Sequence, residues 1–316
     1  MLIPLLIFAG SLALLLIAAQ FFTGAAERIG LAFGLPPFVV GVLIVAVGTS
    51  LPELVASLLA VRAGTPEIVT GNVLGSTASN LLLVLGMVSA LSRTSRIDVG
   101  EQYILIDLHF MLGGMVLLSA MMLDGQVDRL EGVLLLVAYG VFVTYLIRDG
   151  RTATADADHE KLLAEESGSV WRDAVVLVAA GGVIFLGGDF TVSALTQLAT
   201  VLAISPAVAS LTILSLGTTL PELVISVTAA RKGQAQLAVG NILGSCVFNM
   251  LAVAGASAAL GVVAVPAELL RFAVPFVAAV TLFFYLLLQD KRLSRWEGIL
   301  LLVLYVFFLL TLVRRA

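Results

Sequence analysis

Glu53 and Glu222 each stand in the middle of an apolar stretch, and these two carboxylates carry the strongest chemical signal in the chain. On insertion scales an acidic or basic side chain at the centre of a membrane helix costs about 2.5–3.5 kcal/mol, too much to carry without a polar cavity, a partner or an ion. No apolar stretch offers an obvious Lys or Arg counter-ion to the pair, so a bound cation is the natural partner. Each Glu follows a proline. Pro52 and Pro221 lack the N–H that would bond the carbonyl four residues back, which frees the carbonyls of Gly48 and Gly217. With glycine at that same place the helix kinks or breaks, and carbonyls from Ala46 to Thr49 and from Ser215 to Thr218 can point at an ion. Thr49, Ser50, Thr218 and Thr219 add hydroxyl oxygens within a turn of their Glu. A cluster of hard oxygens bearing two negative charges suits Ca²⁺, which takes about six to eight oxygen ligands, and Na⁺ by the same hardness. Thiolate and imidazole ligands for zinc or copper are missing from this neighbourhood.

The two glutamates are related by an internal repeat. Gly48 to Ser57, GTSLPELVAS, faces Gly217 to Ser226, GTTLPELVIS, at an offset of 169 with eight of ten positions identical. At the same offset GNVLGSTASN from Gly71 faces GNILGSCVFN from Gly240, with six of ten identical. Further on the offset becomes 166, pairing Glu131-Gly132 with Glu297-Gly298 and Arg148 with Arg314. In the second motif Ser76 and Asn80 are four apart and share a helix face, as do Ser245 and Asn249, so they supply a wall for the site. Gly71 and Gly75 permit close helix contact, while Asn72 and Asn241 are placed to cap a helix or line a pathway.

These residues need helices in a bilayer to hold them. The 316-residue chain is 60% hydrophobic and 12% charged, with mean hydropathy +1.12, which leaves too little polar surface to cover a water-soluble globule. Nucleic-acid binding, disulfide scaffolds and ordinary cytosolic enzymes are disfavoured, and the lone Cys246 cannot form an intrachain disulfide. Ten apolar runs are expected to span, near 2–22, 37–60, 68–91, 104–123, 132–147, 173–198, 207–230, 237–260, 272–289 and 298–313. The first reads as a retained helix rather than a cleaved signal peptide. With alternating spans, one side of the membrane collects twelve Lys and Arg and the other five. The positive-inside rule then puts both termini on the non-cytoplasmic side of an inner (plasma) membrane. The expected fold is all-α and integral to the membrane: a five-helix repeat over 1–148, a cytoplasmic acidic linker over 149–171, and a second five-helix repeat over 172–316. Because five is odd, the repeats have inverted topology, the architecture of many secondary transporters with a midplane site.

Other residues have plainer readings. Single glycines and prolines in membrane helices are packing and kink devices, and the Ser and Thr hydroxyls can simply bond backbone carbonyls. Asp189 aligns with Gln20 and is charged in one repeat only, which leaves gating or proton handling as its conceivable role. Asp107 and His109 suit an interfacial position, and Cys246 suits packing beside Ser245. The acidic linker lacks the D-x-[DN]-x-[DN]-G run of an EF-hand and reads as solvated.

The paired G-T-[ST]-L-P-E-L and G-N-x-L-G-S-x-x-x-N segments resemble the two α-repeats of the cation/calcium exchanger superfamily, particularly prokaryotic sodium/calcium exchanger-like antiporters. The resemblance spans essentially the whole chain. It implies a ten-helix antiporter that moves Ca²⁺ against Na⁺ by alternating access, with Thr49, Glu53, Thr218 and Glu222 holding Ca²⁺. It further implies sodium sites on the same glutamates with Ser76 and Ser245, and with backbone oxygens at Ala46 and Ser215. The first and sixth helices are implied to slide across a rigid remainder. One position departs from the pattern. Family members often pair an Asn with an Asp where this chain has Asn80 and Asn249, so only two carboxylates remain in the central cluster.

The expected function is therefore non-enzymatic: a Ca²⁺/Na⁺ antiporter without cofactor, whose partners are its ions and the lipid bilayer, with no nucleic acid and no obligate protein partner. A Ca²⁺/H⁺ antiporter using the same site is the alternative. A channel would share the acidic, broken helices but not the paired inverted repeats. An intramembrane hydrolase lacks H-E-x-x-H and any evident Ser-His pairing.

Overall fold

In a bilayer each backbone N–H and C=O has to find its partner within its own segment, so long runs of Leu, Val and Ala without interior proline fold as helices. The computed structural model describes residues 2–33, 46–91, 96–98, 107–149, 169–231, 233 and 235–315. Their helices are α1 (Leu2–Ala32), α2 (Ala46–Thr49), α3 (Leu51–Arg62), α4 (Glu67–Leu91), α5 (Asp107–Met121) and α6 (Arg129–Asp149). They continue with α7 (Val170–Leu202), α8 (Pro206–Thr218), α9 (Leu220–Arg231), α10 (235–260), α11 (Leu269–Asp290) and α12 (Arg295–Arg315).

Among the described residues seven helices are long and apolar enough to cross a membrane, and α8 with α9, bent by 41° at their junction, makes an eighth. Helix α5, at 15 residues, is shorter. The expected second span begins in 37–45, outside the described residues, as does nearly all of the acidic linker. Two helices exceed expectation. α1 runs 31 residues and α7 33, because their polar ends are stabilised against each other: the Arg28 guanidinium on α1 meets the Asp173 carboxylate on α7 at 2.9 Å. Ser11 and Thr191 add a 3.0 Å hydroxyl contact further along the pair.

Four short strands accompany the helices: β1 (Arg96–Asp98), β2 (Gln126–Val127), β3 (Val263–Ala264) and β4 (Arg292–Ser294). Strand β1 pairs antiparallel with β4, Arg96 facing Ser294, and β2 pairs antiparallel with β3, Gln126 facing Ala264. Each pair joins the first half of the chain to the second. The helices interlock in the same reciprocal way: Gly86 on α4 lies against Gly298 on α12, and Gly255 on α10 lies against Gly132 on α6.

Buried apolar side chains form two clusters. The larger joins α4, α5, α6, α10, α11 and α12 with parts of α8 and α9. The smaller joins α1 and α7 to inward faces of α3 and α8 through Leu12, Leu15, Leu59, Ile184, Leu195 and Leu214. Helix α1 thus lies across both helix junctions: a side chain on Gly48 would overlap Thr23, and one on Gly217 would overlap Leu12.

Candidate functional site

The helix breaks fall where proline and glycine require them. Helix α2 stops at Thr49 and α3 starts at Leu51, with Ser50 between them at φ −93°, ψ 11°. In the second half Thr219 takes the same role at φ −78°, ψ −4°. The peptide groups re-pair beyond the break, Leu54 N–H to the Ser50 carbonyl at 3.2 Å and Leu223 N–H to the Thr219 carbonyl at 3.1 Å. Glu53 and Glu222 consequently sit in the first turns of α3 and α9, where the positive end of the helix dipole favours a negative charge. Both are buried, at 1% and 0% exposure.

The facing wall comes from α4 and α10, where Ser76, Asn80, Ser245 and Asn249 are all buried. Helix α4 reaches this position by lying directly on α8: a Cβ on Gly75 would collide with Ser215 and the Leu211 carbonyl. Both wall helices pass into a π-helical turn at Asn80 and Asn249, over Ser79–Val84 and Phe248–Val253, a local widening that recurs at functional sites.

Hydrogen bonds cross from one half to the other here. The Ser50 hydroxyl donates to Glu222 Oε1 at 3.2 Å, and the Ser245 hydroxyl reaches the same oxygen at 3.5 Å. Thr49 Oγ1 lies 3.5 Å from Ser245 Oγ. Against these contacts stands a set of buried polar atoms with no hydrogen-bond partner among the described residues. It includes both carboxylate oxygens of Glu53, Glu222 Oε2, Ser76 Oγ and the side-chain amides of Asn80 and Asn249, together with Oδ1 of Asn72 and Asn241 and the hydroxyls of Ser119 and Ser257. A polar group buried without a partner costs about 1–3 kcal/mol, and an ionised one costs more. Such a concentration of unsatisfied oxygen fits a hard cation as the missing partner. No group of three or more His, Cys, Asp or Glu occurs among the described residues, so hydroxyl and amide oxygens must complete any metal shell.

Other predicted residues sit differently. Thr219 turns its hydroxyl to the Ser215 carbonyl at 2.7 Å, and Thr218 bonds the Leu214 and Ser215 carbonyls at 3.2 and 3.3 Å. The Ser215 hydroxyl donates to the Leu211 carbonyl at 2.7 Å, and its own carbonyl accepts from the Thr219 N–H at 3.1 Å as well as from the two threonine hydroxyls. Ala46 opens α2. Asp189, on α7, is exposed. His109 is exposed and pairs with Tyr285, and Cys246 is buried in the larger apolar cluster.

Asn72 and Asn241 prove to be ties rather than caps. Asn72 Nδ2 donates to the Glu53 carbonyl at 3.1 Å and to Ser57 Oγ at 3.0 Å, fastening α4 to the turn that carries the carboxylate. Asn241 Nδ2 donates to Ser226 Oγ at 3.2 Å in the second half. Ser57 and Ser226 were not singled out from the sequence, although each closes the first motif and recurs at the repeat offset.

The family described as sodium/calcium exchanger protein matches residues 3–148 and 173–314. The chain belongs to this family. The exchanger is 31% identical to an uncharacterized membrane protein of Methanocaldococcus jannaschii, over 95% of both chains. It is 29% identical to the sodium/calcium exchanger MaX1 of Methanosarcina acetivorans, over 93% of this chain and 94% of the relative. Among solved structures it superimposes on the sodium-calcium exchanger NCX_Mj soaked with Na⁺ and Sr²⁺, with TM-score 0.68, 26% identity and 97% of each chain covered. The exchanger is thus a multi-pass membrane transporter of the cation/calcium exchange class and not an enzyme.

Proposed function

We propose that this exchanger trades Ca²⁺ for Na⁺ by alternating access at a midplane site built on Glu53 and Glu222. The observation that carries the reading is the crossed ligand set. Glu222 is bonded by Ser50 from the other half, while Glu53, Asn80, Asn249 and Ser76 leave oxygens without partners beside it. Two carboxylates neutralise one Ca²⁺. When that ion leaves, the pair must take up Na⁺ or protons, since an uncompensated double negative charge in low dielectric is strongly unfavourable. Competition of unlike ions for one pair of charges is the physical basis of exchange, and coupling follows from differential affinity in the two occupancies. Thr49 and Thr218, Ser245, and the carbonyls at Ala46 and Ser215 complete the proposed ligand set, with Ser50 and Thr219 beside them.

Ten membrane segments in two inverted five-helix repeats, 1–148 and 172–316 joined by the acidic linker, are the architecture proposed to hold this site. Reciprocal pairing of β1 with β4 and β2 with β3 supports it, as does the reciprocal contact of α4 with α12 and α10 with α6. The α1–α7 pair is the proposed moving part. It packs on α3 and α8 through the smaller apolar cluster and touches both helix breaks, so a shift along its axis would uncover one or the other. The Lys and Arg distribution supports an inner (plasma) membrane orientation with both termini outside the cytoplasm.

Coupled flux tests the reading. Ca²⁺ uptake into proteoliposomes driven by an outward Na⁺ gradient, and indifferent to a proton ionophore, is the expected result. The presence of two amides at Asn80 and Asn249 makes the proton the competing coupling ion, so uptake driven only by a pH gradient would overturn the sodium assignment.

A further inference from the structure

The Asn80 amide is buried, and neither its oxygen nor its nitrogen has a hydrogen-bond partner among the described residues, so no bond at the tip of the side chain fixes where it points. Its direction is set by the backbone that carries it, the π-helical turn Ser79–Val84 in which it is the second residue. Such turns are rare and frequently mark functional sites. Support for this one comes from the other half of the chain. Helix α12 lies on α4 where Gly298 meets Gly86, and farther along the same pair Tyr305 brings its hydroxyl to 3.2 Å from Ser79 Oγ, on the first residue of the turn. Tyr305 is 6% exposed and Ser79 1%, so each hydroxyl supplies the partner that burial demands of the other.

Mutual satisfaction of two hydroxyls does not account for the placement, because the second half repeats it without the bond. Tyr139 corresponds to Tyr305 at the 166-residue offset, and Phe248 to Ser79 at 169. The Tyr139 ring stands edge to face on Phe248 with centroids 5.6 Å apart, and Phe248 opens the π turn Phe248–Val253 that carries Asn249. In both halves a tyrosine from the opposite half thus touches the residue just before the wall asparagine. The first half adds a directional bond, which restrains Ser79 and, one peptide link away, Asn80. We propose, on the reading of Asn80 as part of the ion site, that Tyr305 is a positioning residue whose hydroxyl acts through Ser79 to orient the Asn80 amide for ion binding.

Ca²⁺ binding to the full-length exchanger in detergent, measured by calorimetry alongside Tm, provides the test. Tyr305→Phe keeps the ring, which packs beside Phe308 with centroids 6.5 Å apart, and deletes only the hydroxyl. It is expected to raise the Ca²⁺ Kd by about two- to ten-fold, the loss of one neutral hydrogen bond. Ser79→Ala should match it, and the double variant should bind no more weakly than the poorer single one. Tyr139→Phe, where ring meets ring, is expected to weaken binding less. The decisive background is Asn80→Ala, which should weaken binding by itself. There Tyr305→Phe is expected to lower Tm as before yet leave Kd unchanged, a separation that a purely structural role would not produce. Wild-type affinity in Tyr305→Phe, or an undiminished loss in the Asn80→Ala background, overturns the positioning role and leaves the ion site as proposed. Wild-type affinity in Asn80→Ala would remove Asn80 from the ion site, and the role of Tyr305 with it.

Discussion

Ser50 donates its hydroxyl hydrogen to Glu222 across the junction of the two chain halves, Oγ to Oε1 3.2 Å. The first half therefore helps hold the charge of the second, and the proposed site draws on both. The first prediction concerns that charge. Glu222→Gln and Glu53→Gln are expected to lower Ca²⁺ flux by on the order of 100-fold or more, because losing one buried charge of a cation-paired set costs about 3–5 kcal/mol. Both variants keep the shape of the side chain, so size-exclusion elution should match the wild type. Near-normal flux in either variant would remove the glutamate pair from the mechanism.

Ser50→Ala is a milder perturbation that isolates the cross-half contact. A hydrogen bond to a charged group contributes about 1.5–3 kcal/mol, so half-saturating Ca²⁺ is expected to rise by about ten- to 100-fold. Thr219→Ala, at the equivalent position of the second half, should change it far less. Its hydroxyl is spent on the Ser215 carbonyl of its own helix at 2.7 Å. Equal effects of the two substitutions would show that the crossed bond has no part in ion binding.

Proton competition has a definite sign. In the proposed mechanism Ca²⁺ binds the ionised carboxylates, so protons held by the empty site must leave when Ca²⁺ arrives. Acidification is therefore expected to raise half-saturating Ca²⁺, by up to about ten-fold per pH unit for each proton displaced. Glu222→Gln, assayed by Ca²⁺ binding rather than flux, should show a shallower dependence because one titrating group is gone. A Ca²⁺ affinity that strengthens on acidification would contradict a site of two ionised acids.

Much of this arrangement was legible in the sequence because it was written twice. The Pro-Glu breaks, the Ser and Asn wall and the close approach at Gly75 follow from backbone chemistry and helix spacing, which are local. What escaped detection depends on contacts between distant segments. The length of α1 was underestimated because Glu27 and Arg28 interrupt its apolar run, and only the partner Asp173, 145 residues later, shows why the helix continues. The strand pairs are two or three residues long and carry no pattern of their own. Thr218 and Thr219 correspond at the repeat offset to Thr49 and Ser50, and their hydroxyls bond carbonyls of their own helix. A hydroxyl's choice between backbone and ligand is a matter of rotamer and not of residue type.

The Asn72 tie yields a prediction that separates positioning from general stability. Its amide holds both the Glu53 carbonyl and Ser57, whereas Asn241 bonds Ser226. Asn72→Ala should therefore weaken Ca²⁺ affinity more than Asn241→Ala, even where the two lower Tm by similar amounts. Ser57→Ala should fall between Asn72→Ala and the wild type, since it removes one of the two Asn72 bonds. Each neutral hydrogen bond contributes about 0.5–1.5 kcal/mol, so the expected affinity losses run from a few-fold to on the order of ten-fold. Identical affinity losses at Asn72 and Asn241 would mean that the carbonyl bond does not position Glu53.

The ion pair between Arg28 and Asp173 bears on how the α1–α7 pair moves. Asp173 is almost fully buried, with 2% of its side chain exposed, while Arg28 is 26% exposed, so partial solvation reduces the net contribution of the pair. At the repeat offset these positions correspond to Gln197 and Pro4, which cannot form an ion pair. The ion pair therefore clamps the two long helices at one end. If they move as a single body, Arg28→Gln should slow exchange by letting them slip independently, and Asp173→Asn should do the same. The double variant should be no worse than the poorer single one, because both act on one contact. A disulfide placed between α1 and α7 at this end is expected to restore flux to the double variant. If the crosslink instead arrests transport, the two helices must slide past each other, and the clamp would then be a latch that has to open.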